Sequence, residues 1–158
     1  MKIAQIDIIE AVIPFDDGGS GMGITPGRWD SLELVLVRVE TDTGLVGWGD
    51  CFAYSCRAAV ATAARGMVAP LLQGRELAAT PEALMQEVQR RLHLFGRYGI
   101  TLFAISGFDI ALWDIAAKAQ GKPLHALLGP TRRSELPAYA SLVRYADAAL
   151  VRKYCQQA

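Results

Sequence analysis

The chain has 158 residues, enough for one domain with a proper core and too few for two ordinary ones. Hydrophobic residues make up 52% of it and charged residues 20%, which is typical of a globular protein and not of a disordered one. Sixteen basic residues balance sixteen acidic ones, which argues against a nucleic-acid-binding protein and against a polybasic membrane-binding surface. The sequence has no apolar signal core, no charge-poor stretch of about 20 residues and no paired cysteine motif. We therefore expect a cytoplasmic protein with reduced thiols and no membrane segment.

The first third of the chain predicts a small antiparallel sheet. Residues 3–13 are rich in Ile and Val, with apolar side chains two positions apart. Residues 31–41 place leucines on one face and valines on the other, so both faces of that strand are expected to be at least partly covered. Residues 42–44, Asp-Thr-Gly, are typical of a tight hairpin loop and lead into a strand from residue 45 to about residue 52. The pattern predicts a three-stranded antiparallel meander.

Three helices are expected after the sheet. The first runs from a capping hydroxyl at Ser55 to about Pro70. The second begins at residues 80–82, Thr-Pro-Glu, which combine a capping hydroxyl, an early proline and an acid favoured by the helix dipole. The third runs from about Ile100 to Ala119. One side of it consists of small residues against which another element can pack closely: Ala104, Gly107 and Ala111.

The last part of the chain predicts the start of a second structure. Residues 136–142 favour a short strand, and a helix is expected from about Asp147. A strand followed by a helix is half of a βαβ unit, and its strand needs a parallel neighbour. We therefore predict an α+β domain over residues 1–129, built from the meander and a helical bundle, and an incomplete strand–helix unit over residues 130–158.

Two loops contain candidate functional residues. The glycine-rich stretch from Pro14 to Asp30 carries the apolar side chains of Met22, Ile24 and Trp29. It is either a mobile surface connection or a flap that closes over a ligand and excludes water with those side chains. The second loop, residues 49–56, joins the third strand to the first helix. It contains Phe52 and Tyr54, of which at least one is expected in the core.

Other polar residues favour structural roles. Asp114 in the third helix is expected to be a buried carboxylate paired with a backbone donor or a cation, because an unpaired one is costly. His93 and His125 stand alone and favour positions at the surface or at helix ends. No phosphate-binding, zinc-protease or serine-hydrolase motif occurs in the sequence. The residue patterns by themselves therefore leave the activity open.

A resemblance to a known family narrows the choice. Residues 106–124, Ser-Gly-Phe-Asp-Ile-Ala-Leu-Trp-Asp-Ile-Ala-Ala-Lys-Ala-Gln-Gly-Lys-Pro-Leu, followed by Leu-Leu-Gly at 127–129, resemble the signature of the mandelate racemase and muconate lactonizing enzyme group of the enolase superfamily. Residues 43–50, Thr-Gly-Leu-Val-Gly-Trp-Gly-Asp, resemble the hairpin of that family, in which the last position is more often Glu. Residues 137–141, Pro-Ala-Tyr-Ala-Ser, resemble the first strand of its barrel.

The resemblance implies a two-domain enzyme. In this family an α+β capping domain covers the mouth of a modified (β/α) barrel, and the barrel holds Mg²⁺ and the acid–base residues. The reaction is removal of the proton α to a carboxylate, with the metal stabilising the enediolate that forms. The implied activity is racemisation or epimerisation, dehydration or cycloisomerisation of a carboxylate substrate, with hydroxy acids and acid sugars favoured. The family often forms even-numbered homo-oligomers.

The resemblance also assigns candidate substrate-binding residues. Two loops of the family's capping domain close over the substrate, and they correspond here to the glycine-rich stretch and to residues 50–55. The implied pocket residues are Ile24, Trp29, Phe52 and Tyr54. Ser141, at the end of the predicted barrel strand, is the fifth candidate, because that end of a barrel strand faces the substrate.

The catalytic residues of the family have no counterpart in this sequence. The three metal-binding carboxylates and the Lys or His base come from later barrel strands. We therefore expect no catalytic and no metal-binding residue here, Mg²⁺ only in a full-length parent, the remainder of the barrel as a partner, and an inactive chain in isolation. The alternative from another class is a stand-alone, non-enzymatic binding or assembly module that keeps the capping fold, whose last strand and helix would then need cover from another chain.

Overall fold

A computed structural model describes residues 1–16, 28–130, 133, 135–140 and 147–157. The chain divides into two compact units. The first contains Met1–Ala11 and Glu33–Thr131, and the second contains Val12–Leu32 and Arg132–Ala158. The assignment of residues 1–129 to a capping domain and of 130–158 to the start of a barrel stays a prediction.

The predicted meander is present. Strand β1 spans Ile3–Pro14, β2 spans Ser31–Thr41 and β3 spans Val46–Cys51, and the sheet order is β1-β2-β3. Strands β2 and β3 are antiparallel, with Val37 opposite Gly49. On β2 the valines are fully buried and Leu34 and Leu36 are half-buried, so the expectation that both faces are covered is confirmed there.

The helices follow in the predicted order. Helix α1 spans Arg57–Ala63 and continues through a π-helical turn at Ala64–Val68 into α2 at Ala69–Leu72. Helix α3 spans Glu82–Arg91 and is followed by a 3₁₀ turn at His93–Phe95. Helices α4, α5 and α6 span Gly99–Ala119, Leu124–Leu128 and Ala148–Gln157.

The predicted cap of the first helix is wrong. Ser55 lies before the helix with a φ of 56°, in the left-handed region that side chains other than glycine rarely adopt. Cys56 stands at the cap position, and no side chain caps this helix. The serine is used to turn the chain out of the strand, so its hydroxyl does not meet the first free N–H groups.

Helix α4 packs against β3 with almost no side chains between them. A Cβ atom added to Gly49 would overlap the carbonyl oxygen of Gly107, and one added to Gly47 would overlap that of Ala111. This close approach confirms the predicted small-residue side of α4. The helix is long and apolar enough to cross a membrane by length and composition alone, but 56% of its most apolar stretch is buried inside the protein, as in an ordinary core helix.

Polar side chains of α4 tie down the free edge of β3. The backbone N–H of Trp48 donates to Asp114 Oδ2 at 3.1 Å. Lys118 Nζ donates to the same oxygen at 2.7 Å and to the carbonyl of Val46 at 2.7 Å. Asp114 therefore has both a backbone and a cationic partner, as predicted, although its side chain is half-buried and not fully enclosed. These contacts satisfy an edge strand that would otherwise expose its hydrogen-bonding groups.

In the second unit, the predicted helix is present, whereas the described part of the predicted strand, residues 136–140, is not in strand conformation. Helix α6 begins at Ala148, and the Asp147 carboxylate accepts the N–H of Ala149 at 2.7 Å. Residues 135–140 form no strand, and residues 141–142 of the predicted strand lie outside the described residues. A strand requires a hydrogen-bonded neighbour, and the sheet of the described residues consists of β1, β2 and β3.

Candidate substrate-capping loops

The structure describes three of the five predicted substrate-binding residues. Phe52 and Tyr54 belong to the first unit, and Trp29 belongs to the second. Ile24 and Ser141 lie outside the described residues.

Trp29 lies at the carboxyl end of the glycine-rich stretch and packs against Phe15 at the other end. The two ring centroids are 5.1 Å apart and the rings are nearly perpendicular, at 82°, which is a favourable edge-to-face contact. The N–H of Phe15 donates to the carbonyl of Asp30 at 2.9 Å. Residues near the two ends of this stretch are therefore held together, and Trp29 is half-buried there.

Phe52 is an exposed aromatic residue on a firmly held base. Its side chain is 54% exposed, although Cys51 before it and Ala53 after it are buried. One side of the Phe52 ring contacts Phe103 of α4, with 4.7 Å between the centroids. The remainder of the ring faces outward. The segment from residue 50 to residue 55, which we call the β3–α1 loop, thus alternates buried and exposed positions and presents an apolar ring from a fixed backbone.

The rest of the β3–α1 loop supports this arrangement. The N–H of Cys56 donates to the carbonyl of Ala53 at 3.0 Å, and the positive φ of Ser55 completes the turn into α1. Tyr54 lies inside this turn and is half-buried. At the start of the loop, partial burial raises the pKa of the Asp50 carboxyl above its ordinary value. The loop therefore combines apolar rings with one carboxyl group whose pKa lies above its ordinary value.

A cluster of ion pairs directly after the β3–α1 loop was not predicted from the sequence. Arg57, in the first turn of α1, contacts Glu10 of β1 and Glu33 of β2. Arg65 adds a 2.8 Å contact to Glu10 and donates to the carbonyl of Ile8 at 3.1 Å. Helix α1 is in this way tied to two strands directly after the β3–α1 loop. Because the partners of Arg57 are 24 and 47 residues away in sequence, no local motif indicates the cluster.

The described residues offer no site for the Mg²⁺ of the family. They contain no group of three or more His, Cys, Asp or Glu side chains that could hold a metal ion. Burial raises the pKa of the Cys51 thiol to about 11, so this thiol stays protonated in the core. The groups present can shape a pocket and exclude water, but they do not form a catalytic centre among the described residues.

Comparison with solved structures defines the class of protein. A member of the enolase superfamily from Polaromonas sp. JS666 superposes with a TM-score of 0.78 and 28% identity, covering 99% of this chain and 41% of that chain. A mandelate racemase/muconate lactonizing protein from Paracoccus denitrificans PD1222, complexed with magnesium, superposes with a TM-score of 0.64 and 31% identity, covering 86% and 32%. The sheet and helices described above are those of an enolase-superfamily amino-terminal capping domain.

The family itself follows from the sequence match. Residues 22–129 match the family model for the mandelate racemase / muconate lactonizing enzyme, N-terminal domain. The chain belongs to this family, as its resemblance predicted.

Curated relatives carry the names of sugar-acid enzymes. Arabinonate dehydratase of Saccharolobus solfataricus is 39% identical over 104 residues, covering 65% of this chain and 27% of that protein. D-galactarolactone cycloisomerase of Agrobacterium fabrum is 39% identical over 115 residues, covering 72% and 29%. The chain thus spans little more than a quarter of the length of these relatives.

Proposed function

We propose that this chain is the substrate-capping part of an enolase-superfamily enzyme that removes the proton α to a carboxylate of a hydroxy acid or acid sugar. The observation that carries the proposal is the outward-facing Phe52 ring on the β3–α1 loop. An aromatic side chain that is 54% exposed between two buried neighbours contributes little to the core, and it suits a surface that closes over a ligand.

The residues of this chain bind the substrate and exclude water from it. We assign Phe52 and Tyr54 of the β3–α1 loop to contacts with the substrate. Trp29 of the glycine-rich stretch is a further candidate for substrate binding, and so are Ile24 and Ser141, which lie outside the described residues. Apolar rings placed over the substrate exclude water, which strengthens the electrostatic interactions of the reacting carboxylate.

The relatives favour dehydration or cycloisomerisation of acid sugars over racemisation. In a dehydration the α-proton leaves to a base, the hydroxyl on the β-carbon leaves as water, and the enol tautomerises to a 2-keto-3-deoxy acid. The base belongs to the remainder of the barrel in a longer parent protein. We assign Mg²⁺ to that parent as well, because a mandelate racemase/muconate lactonizing protein similar to this chain is complexed with magnesium. Racemisation or epimerisation of a hydroxy acid remains within the same class.

The same proposal includes the binding partners and the cellular location of the parent protein. The carboxylate substrate and the remainder of the barrel are its partners, together with further copies of the parent. The cysteines are free, which is consistent with a cytoplasmic location. The non-enzymatic binding or assembly module remains the alternative from another class. It predicts that no parent protein containing this chain turns over a carboxylate.

The experiment is a screen of hydroxy acids and sugar acids with the parent protein and Mg²⁺, with 2-keto acid formation and optical rotation as readouts. Once a substrate is found, Phe52→Ala should lower kcat/KM by about tenfold or more. The same change should cost only about 1 kcal/mol of unfolding free energy, because half of the ring is already in water. Trp29→Ala should likewise impair turnover more than stability.

A matched control separates this effect from general loss of aromatic surface. Phe95 is 58% exposed and lies in the 3₁₀ turn outside both loops. Phe95→Ala should leave kcat/KM within about twofold of the wild type. Equal losses of activity in the Phe52 and Phe95 variants, or normal kinetics in the Phe52 variant, would contradict the capping role.

A further inference from the structure

The structure contains a cavity whose described lining belongs to elements other than the β3–α1 loop. It occupies about 600 Å³ between the exposed side of α3, the 3₁₀ turn and the first turns of α4. This volume lies within the usual range for sites that bind small molecules. None of the three predicted substrate-binding residues that the structure describes lines it. Its lining comprises Gln86, Gln89, Arg90, Leu92, His93, Gly96, Arg97, Leu102 and Ile105.

The floor of the cavity is apolar. Leu92 and Ile105 are 6% and 4% exposed and belong to the hydrophobic core. Leu102, one helical turn before Ile105, is 39% exposed and forms an apolar wall. A ligand with an apolar body would therefore cover surface that is otherwise left in water.

The rim of the cavity is basic. Arg90 and Arg97 contribute two guanidinium groups, and no Asp or Glu side chain is among the described lining residues. Neither arginine forms an ion pair with any residue that the structure describes. By contrast, Arg91 on the adjacent face of α3 is paired with Glu87 at 2.7 Å. Two arginines without a carboxylate partner beside an apolar floor favour the binding of an oxyanion.

Neutral donors complete the rim. Gln89 and Arg90 lie three and four positions after Gln86 on one exposed face of α3, and the two glutamines supply side-chain amides. His93 Nδ1 donates to the carbonyl of Arg90 at 2.7 Å, which fixes the imidazole and leaves its Nε2 for another contact. The rim therefore offers charged and neutral hydrogen-bonding groups around one apolar depression.

We propose that this cavity, the α3–α4 site, binds a small organic oxyanion with an apolar body through Arg90 and Arg97. The oxyanion is a carboxylate or a phosphate ester, since guanidinium groups recognise both in the same bidentate way. The proposal does not depend on the capping role of the two loops, because it uses other elements and other residues.

The test is a titration of the ¹⁵N-labelled 158-residue chain, followed by amide chemical shifts. The probes are phthalate and phenyl phosphate, with dimethyl phthalate as the uncharged control and inorganic phosphate as the control without an apolar body. Phthalate or phenyl phosphate should shift amides between Gln86 and Ile105 in a saturable manner. Dimethyl phthalate should not, and inorganic phosphate should bind more weakly. The stronger of the two aryl probes identifies the head group.

Variants assign the binding to the two arginines. The double variant Arg90→Gln/Arg97→Gln should weaken the better probe by about tenfold or more. Arg152→Gln is the matched control, because it removes the same charge from α6 and should leave affinity within about twofold of the wild type. The conservative variant Arg90→Lys/Arg97→Lys should restore part of the affinity. Equal binding by the Gln and control variants, shifts outside residues 86–105, or binding of dimethyl phthalate as strong as that of phthalate would overturn the proposal.

Discussion

Strand β3 and the loop that follows it differ in how they pack against the rest of the protein. Along Gly47 and Gly49 the backbone of the strand lies directly against the backbone of α4, with almost no side chains between them. A few residues later the chain presents Phe52, a large side chain that is mostly in water. The comparison shows how a closely packed element can fix the base of a loop whose exposed side chains are then available for binding.

The largest effect is expected at the closely packed end. Gly49→Ala would place a methyl group on the carbonyl oxygen of Gly107, and two backbone segments would have to separate. We expect a loss of about 3 kcal/mol in the free energy of unfolding, measured by urea denaturation. Gly66→Ala is the control, because no atom lies within 4 Å of the position of its new Cβ. That variant should be stabilised by roughly 0.5 kcal/mol, because alanine favours a helix more than glycine does. Equal stability of the two variants would contradict the claim that the backbones of β3 and α4 are in close contact at Gly49.

A smaller effect is expected where α4 ties the edge of β3. Asp114→Ala removes the acceptor of the Trp48 N–H and the partner of Lys118, and should cost about 1 kcal/mol, since the site is partly exposed. Asp114→Asn keeps an acceptor for the N–H group and loses only the charge. We expect it to recover about half of the loss in the same denaturation experiment. A larger loss in the Asn variant than in the Ala variant would show that the hydrogen bond to β3 is not the source of the effect.

Low pH should lower the stability of the protein through Glu87 of α3, whereas the contact of the β3 glycines with α4 contains no titratable group. Glu87 of α3 accepts hydrogen bonds from Arg75 and Arg91, which lower its pKa from 4.5 to about 2. A depressed pKa means that this stabilisation is complete above the ordinary value of 4.5 and is lost as the pH falls towards about 2.

Glu87→Gln should therefore lose less stability than the wild type over that pH window. The midpoint of urea denaturation at several pH values measures the difference. Glu135→Gln is the control, because this exposed residue forms no ion pair with any residue that the structure describes, and the variant should follow the wild type. Parallel curves for the wild type and Glu87→Gln would show that the ion pairs of Glu87 do not contribute to the pH dependence.

The sheet and its partner helix were predictable because their signals are local. Strand β2 has the predicted bounds, since its alternating leucines and valines specify both period and length. The small residues of α4 indicated a close contact before its partner was known. The glycines of β3 supply that partner, although their separation from α4 in sequence hides the pairing.

The features that escaped prediction depend on backbone conformation or on distant residues. Ser55 carries the residue type of a helix cap, but its positive φ gives it another use. Arg57 meets acids that only folding brings near, so no spacing reveals the cluster. Among the candidate pocket residues, the exposure of Phe52 could not be read from the sequence, because the same aromatic residue suits a core position equally well.

The burial of Cys51 has a practical consequence for labelling. With its pKa raised to about 11, the Cys51 thiol stays protonated at neutral pH, and the sulfur is also buried beneath α4. Burial also raises the pKa of the half-buried Cys56. Cys155 is exposed on α6, so a maleimide dye at neutral pH will select this one position in the native protein and mark the carboxyl-terminal helix without mutagenesis.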